Sequence, residues 1–321
     1  MMSGVEGSDL NIMMCCASCG IAGVDAIKLK KCTACYLVRY CSIKCQRDHR
    51  PQHKKECKKR AAELRDDILF RQPESTHLGD CPICCLPLPL GRENCTIMEC
   101  CSNTVCDGCY GANMIREQEQ KLKHTCPFCR NPAPESSEDV EKNLIKRMEV
   151  NDAFAFFQMG WRMFHHEKDY KSSFEYYSKA AALGNIESHF QLSILYRDGE
   201  GVGKDRKKEV YHLEEAAIGG HPDARLNLGC IEEDNGRDDR AVKHWIIAAN
   251  MGHDDSLENL KLVYREGLPA SPRIYREGLV SKEDFASALR AHQTAVDATK
   301  SPQRETAERF WREEAARGDF P

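Results

Sequence analysis

Between residues 140 and 298, apolar positions recur at the three- and four-residue intervals of helices that bury one face. The phrases AAALGN, AAIGGH and AANMGH end at Asn185, His221 and His253, and their glycines, Gly184, Gly220 and Gly252, are 36 and 32 residues apart. Eight residues after each glycine comes a leucine (Leu192, Leu228, Leu260), and Tyr196 and Tyr264 fall twelve after theirs. Small alanines let two helices cross closely, and glycine ends the first of them. The spacing predicts three to four helix pairs from about 153 to 265, each of which must stack on its neighbours to bury its apolar stripe. YREGL occurs at 264–268 and again at 275–279, with Pro269 and Pro272 between, so one copy is expected to continue the fourth pair and the other to lie in an inserted loop. Ser281-x-x-Asp284 then opens a capping helix. Residues 299–321 are expected to form a partly ordered tail, frayed after Pro302.

Upstream of the breaker NPAPESSED, near 131–138, this periodicity is absent except in two places. Residues 58–72 predict a connecting helix with Leu64, Ile68 and Leu69 on one stripe and Pro73 behind it. YGANMIREQEQKLK, after Cys109, predicts a second. PESTHLGD makes a short polar joint. The rest has too few large apolar side chains for a core of its own. What it has is cysteine: eighteen of the nineteen lie between Cys15 and Cys129. Chance would give about one Cys-x-x-Cys pair at this cysteine content. There are five, at 16/19, 32/35, 81/84, 106/109 and 126/129. The first twenty residues show no basic head followed by an apolar run, so metal binding is the expectation rather than a disulfide framework.

The first cluster runs Cys16-x2-Cys19, Cys32-x2-Cys35, Cys41-x3-Cys45 and His53-x3-Cys57, eight ligands for two closed tetrahedral sites. Closed sites leave no position for water, so the zinc is structural. CASCG, KKCTACYLVRYCSIKCQ and HRPQHKKECKK resemble the MYND finger over 16–57. The resemblance implies that Cys16, Cys19, Cys41 and Cys45 hold one zinc, and Cys32, Cys35, His53 and Cys57 the other. It also implies binding of short proline-containing peptides. Gln46 matches the family, but His49 stands where many members carry a tryptophan, which puts the peptide preference in doubt. No stretch matches the SET methyltransferase domain found in some relatives.

The second cluster has Cys81-x2-Cys84, Cys100-Cys101, Cys106-x2-Cys109 and Cys126-x2-Cys129. With CPICCLPLPL and CPFCR it resembles a RING finger over 81–130. Most such fingers place Cys-x-His before the third pair, and this chain has Cys101 and Asn103 there; a neutral amide is a poor zinc ligand. The resemblance to all-cysteine members implies one zinc on Cys81, Cys84, Cys106 and Cys109 and one on Cys100, Cys101, Cys126 and Cys129, with Cys95 and His124 as competitors. It further implies recruitment of a ubiquitin-conjugating enzyme through Ile83, Pro127 and the cation Arg130. The tryptophan that many active members carry in the following helix is missing.

YRDGEGVGKDRKKEVYHLEEAAIGGH resembles the Sel-one-like repeat, a relative of the tetratricopeptide repeat that builds scaffolding superhelices. Trp161, Trp245 and the tyrosines at helical spacing are read as core. The expected architecture is thus a multidomain chain: a MYND-type and a RING-type module holding four zinc ions, two per finger, then an all-α helical-repeat solenoid over 140–298.

The formal charge of −4 becomes about −11 with four zincs on fifteen thiolates. That offsets the lysines at 54, 55, 58 and 59 and Arg60, which are read as a solvated helix face, and few base-stacking aromatics lie between the charges, which ranks nucleic acid last among partners. No run of eighteen apolar residues crosses a membrane, and the expected location is cytoplasmic or nuclear. No phosphate loop, His-Glu-x-x-His or nucleophile elbow occurs. Two functions stay open: a ubiquitin ligase that selects substrates through its other modules, or a non-catalytic adaptor for peptide or helical ligands.

Overall fold

The computed structural model of the chain describes residues 15–23, 27–91, 94–266 and 279–317. It divides after Arg71 into two compact units. In the first, β1 (Lys30–Lys31) and β2 (Arg39–Tyr40) form a short antiparallel ladder with Lys30 opposite Tyr40. Its core is mostly sulfur: Cys16, Cys32, Cys35 and Tyr40 are buried. A single helix, α1 (Ile43–Leu69), follows, and the Ser42 hydroxyl accepts the Cys45 N–H at its start.

The connecting helix predicted over 58–72 is therefore the second half of a longer one. Pro51 removes an N–H inside α1 without ending it. At 100° per residue, Cys45, His53 and Cys57 lie within about 120° of one another on the helix. Metal held by these side chains, Cys45 before the proline and His53 and Cys57 after it, would brace a segment that proline alone would weaken. Ile68 is 47% exposed, so the apolar stripe is narrower than predicted.

The second unit opens with a hairpin, β3 (Cys95–Met98) on β4 (Asn103–Cys106), running into α2 (Asp107–Glu119). Leu88, Met98 and Val105 join Cys81, Cys106, Cys109 and Cys126 in its core. The helical half follows: α3 (Ser137–Glu149), α4 (Ala153–Arg162), a π turn over Met163–Glu167, α5 (Tyr170–Ala182), α6 (Ile186–Asp198), α7 (Arg206–Ile218), α8 (Pro222–Asp234), α9 (Asp238–Asn250), α10 (Asp254–Glu266), α11 (Lys282–Ala298) and α12 (Pro302–Arg317). Helices pack as the pairs α4/α5, α6/α7 and α8/α9, with α10 and α11 closing the stack against α9. Among the described residues no helix is long and apolar enough to cross a membrane.

The glycine phrases fold as one recurring joint. Gly184, Gly220 and Gly252 take left-handed backbone (φ 92°, 85° and 88°), where a side chain is strained. The next residue caps the following helix. Asn185 Oδ1 accepts from Ser188 N at 2.8 Å, and His221 Nδ1 and His253 Nδ1 accept from Ala224 N and Ser256 N at 3.4 and 3.3 Å. Histidine thus serves as an N-cap where asparagine is usual. Ser281 caps α11 by accepting from Asp284 N, as the sequence predicts.

Leu192, Leu228, Leu260, Tyr196 and Trp245 are buried. Tyr264 differs from its counterpart Tyr196: it is 42% exposed and stacks on Phe285. Of the two YREGL copies, all but Tyr264–Glu266 and Leu279 lie outside the described residues.

Trp245 lies against the bare backbone of Gly229, where an added Cβ would sit 2.2 Å from the indole nitrogen. Gly229→Ala is expected to destabilise the solenoid by about 1–3 kcal/mol through overpacking. A lowered urea midpoint would show it.

Within the segment expected to form a partly ordered tail, residues 302–317 are helical: α12 packs along α2. The signal missing from the sequence is long-range, because α12 gains its stability from a surface about two hundred residues upstream.

Candidate metal centres

In the first unit the structure brings together Cys16, Cys19, Cys41 and Cys45 in one group and Cys32, Cys35, His53 and Cys57 in another. Cys19 and Cys41 sulfurs are 3.6 Å apart, Cys41 and Cys45 3.5 Å, Cys32 and Cys57 3.8 Å, and Cys35 Sγ is 3.2 Å from His53 Nε2. These separations are far beyond a disulfide bond of about 2.05 Å. They match the edge of a tetrahedron built on Zn–S bonds of about 2.3 Å, which is about 3.8 Å. The groups are interleaved in sequence, so each ion would staple non-adjacent segments. His49, in the position of the expected tryptophan, stacks on the ligand His53 at 5.7 Å and shares a hydrogen bond with the Tyr40 hydroxyl (3.1 Å). It supports the site rather than offering a free platform.

In the second unit Cys81, Cys84, Cys106 and Cys109 converge, as do Cys100, Cys101, Cys126 and Cys129. Cys84–Cys106 is 3.7 Å, Cys100–Cys129 3.3 Å and Cys101–Cys126 3.9 Å. Asn103 donates its amide to the Cys101 carbonyl, bracing the ligand turn. The competitors are occupied elsewhere. Cys95 Sγ donates to the Pro89 carbonyl, and His124 sits between Glu117 (2.8 Å) and the Tyr110 hydroxyl (3.1 Å). Ile83 is 41% exposed, and Arg130 is exposed with one guanidinium nitrogen 3.2 Å from Asn113 Oδ1. Pro127, the second contact residue the resemblance implies, is buried, while its neighbour Phe128 is an exposed apolar group, at 45%. The turn that aims both sulfurs of the last pair inward also turns Pro127 inward.

Each group holds one thiol with a depressed pKa. Burial pushes the Cys16 thiol up, but backbone N–H groups of Cys19, Cys41 and Ser18 outweigh it and bring it to about 6. For Cys32 burial is likewise outweighed, by the N–H groups of Cys35 and Ala34 and by His53, to about 6. Cys81 falls to about 7 against its burial, through Cys106, Cys84 and Ile83 backbone. Cys129 falls against its burial through Asn131 backbone and its sulfur neighbours. Other members move the opposite way. Contact with Cys19 and Cys45 pushes Cys41 up to about 12, burial followed by Cys32 and Cys35 does the same to Cys57, and burial followed by Cys129 raises Cys100. One thiol per group is thus disposed to shed its proton, and a bound divalent cation would compensate the rest. Four protein ligands per group would close the shell of a tetrahedral ion and leave no position for substrate.

A fifth group, His77, Glu187 and His221, was not singled out by sequence spacing. Both histidine Nε2 atoms lie 3.1 Å from Glu187 Oε2. The two rings stack at 4.1 Å and 8° from parallel, so their planes do not meet within bonding distance of both Nε2 atoms, where a shared ion would sit. Because His221 Nδ1 accepts the Ala224 N–H, its Nε2 carries hydrogen and donates to Glu187. The group is a hydrogen-bonded clamp. With the His77 N–H donated to the Gly220 carbonyl (3.0 Å), it fastens the 73–80 joint onto the repeats. The aligned cap positions Asn185, His221 and His253 were the sequence signal for it.

Residues 16–57 match the family profile of the MYND finger, and residues 153–185, 186–221 and 222–253 match three Sel1 repeats. The repeat boundaries fall on the cap residues Asn185, His221 and His253. Among curated relatives, the chain is 29% identical over 89 residues to chitin synthase regulatory factor 4 of Schizosaccharomyces pombe, covering 27% of this chain and 14% of that protein. It is 32% identical over 100 residues to an uncharacterized protein of Neisseria meningitidis serogroup B, covering 31% and 21%. The matched segments are thus less than a quarter of either relative's length. Similar solved structures include a Sel1 repeat protein from Oxalobacter formigenes (TM-score 0.42, 23% identity, covering 60% of this chain and 72% of that one). A protective antigen of uropathogenic Escherichia coli with an SLR fold has TM-score 0.39 at 20% identity, covering 56% and 41%. By its family matches the chain carries a MYND finger and, downstream of it, three Sel1 repeats.

Proposed function

We propose that this chain is a multivalent protein-docking adaptor, held by four zinc ions. The observation that carries this reading is the pairing of closed four-ligand groups with apolar side chains left in solvent on the turns that form them. Tyr36 (58% exposed) and Leu37 (43%) stand beside Cys35, and Ile83 and Phe128 stand inside the Cys81/Cys84 and Cys126/Cys129 pairs. Metal locks the backbone of such a turn, so an exposed apolar side chain on it meets a partner with little ordering cost. The repeats add a second docking surface. The role in the name of the yeast relative, regulation of a chitin synthase, is one that an adaptor fills through contacts alone.

The second reading, a RING-type ubiquitin ligase, is favoured by Ile83 and Arg130 at the surface. The buried Pro127 and the lack of a tryptophan in α2 count against it. The two readings part in one assay. Purified chain is incubated with activating enzyme, ubiquitin and a panel of conjugating enzymes. The adaptor reading expects wild type and Arg130→Ala to discharge ubiquitin equally slowly. Discharge accelerated by wild type and lost in both Ile83→Ala and Arg130→Ala would establish the ligase instead.

A further inference from the structure

Helix α12 approaches α2 at a distance only glycine permits. A Cβ on Gly108 would fall 2.7 Å from Arg304 Cγ and 3.0 Å from Arg304 Cα, and one on Gly111 would fall 3.0 Å from Ala307 Cβ. One turn further on, Trp311 stacks on Tyr110 (6.1 Å, 25°). This seat aims two polar side chains at sulfur. Arg304 donates from Nη1 to the carbonyls of Pro87 (2.7 Å) and Thr299 (2.5 Å), and from Nη2 to the Leu86 carbonyl (3.3 Å) and Cys84 Sγ (3.6 Å). Gln303 Nε2 donates to the Gly108 carbonyl (3.1 Å) and lies 3.9 Å from Cys109 Sγ. Both sulfurs belong to the Cys81/Cys84/Cys106/Cys109 group, and the donors come from 220 and 194 residues away in sequence.

A zinc ion on four thiolates carries a formal charge of −2. Donors to sulfur disperse that charge, and a planar guanidinium can serve the thiolate and the loop carbonyls at once. We propose that Arg304 and Gln303 are positioning residues for zinc in this group, so that docking of α12 and retention of the ion are a single linked equilibrium. The inference rests on the zinc assignment above. Linkage is reciprocal: what loosens the helix loosens the ion, and removing the ion frees the helix. Gly108 and Gly111 are the backbone condition for it, since a side chain at either would lift Arg304 off the sulfur.

The test uses the full zinc-loaded chain, a colorimetric chelator, and mass spectrometry of cysteine alkylation to time the opening of each group. Metal analysis of wild type comes first; absence of an ion from this group would defeat the zinc assignment itself. With the ion present, Arg304→Ala and deletion of residues 302–321 are each expected to speed loss of one ion about 10–100-fold. Cys84 and Cys109 should then be alkylated first, with Cys16, Cys19, Cys41 and Cys45 unchanged. Gln303→Ala, which leaves Arg304 on Pro87 and Thr299, should show the same selectivity with smaller effect and covers the case in which Arg304→Ala does not fold. In the reverse direction, chelation should raise hydrogen exchange in α12 before α4–α9. Equal release from wild type and both point variants, or acceleration spread evenly over all groups, would overturn the proposal.

Discussion

Chelating the metal from the folded chain is expected to unfold residues 16–57 while the helical signal of residues 137–298 persists. The first unit buries Cys16, Cys32, Cys35 and Tyr40 as its core, with short two-residue strands around them. Burial of one large side chain contributes only about 1.5–3 kcal/mol, which cannot order some forty residues at about 1–2 kcal/mol of backbone entropy each. Zinc coordination, at about 10–16 kcal/mol per site in small peptides, can. The repeats have their own cores, with Trp245, Leu260 and Val263 in one cluster and Phe156, Tyr177 and Leu192 in another. Limited proteolysis with excess chelator should therefore cut first between residues 16 and 57, and Cys57→Ser should reproduce that cleavage with zinc present. An N-terminal unit that resists protease after its metal is removed would refute the assignment. Because the thiols must lose protons to bind, metal retention should also strengthen as pH rises, and elemental analysis at neutral pH should find four ions.

Much of this was legible in the sequence for a simple reason. Tetrahedral coordination demands thiols at fixed short spacings, and spacing survives in a string of letters. The adjacent Cys100 and Cys101 could be placed because Asn103 is too weak a ligand to compete, and the structure puts Asn103 on a carbonyl instead. The repeat register was equally plain, since left-handed glycines and buried leucines recur with it. Contacts between distant segments were not legible. Nothing local to Pro302 says that a helix there will lie on α2. The available hint was on the other side, in DGCYGAN, where Gly108 and Gly111 stand three apart on one helical face. The burial of Pro127 was not legible for a related reason: its place inside a cysteine pair fixes its position along the turn but not which way the turn faces.

The solenoid is expected to lose stability steeply as pH falls below about 6.5, and the cause is buried histidine rather than metal. Burial, with His189 and Lys208 nearby, lowers His212 to about 4. Burial, with Arg225 and Arg240 nearby, lowers His244 to about 3. Burial also lowers His189, against the pull of Glu215, and His221, against its bond to Glu187. A histidine whose folded pKa is depressed takes its proton more readily in the unfolded chain. Its stabilisation is therefore complete above about 6.5, the unfolded value, and declines as pH falls toward its folded value. Each such group contributes a slope of about 1.4 kcal/mol per pH unit in that window. His244, the more deeply buried of the two, removes about 2 kcal/mol by pH 5, and His212 acts in the same direction. His221 adds a structural penalty, since a protonated Nδ1 can no longer accept the Ala224 N–H that starts α8. Zinc is also released in acid, so the comparison is between variants at equal pH. His244→Leu should lower the slope of urea-unfolding free energy against pH by about one proton between pH 6.5 and 5. The zinc modules contribute identically to both proteins and cancel. A slope that is the same in wild type and His244→Leu would mean that this histidine is not held neutral in the core.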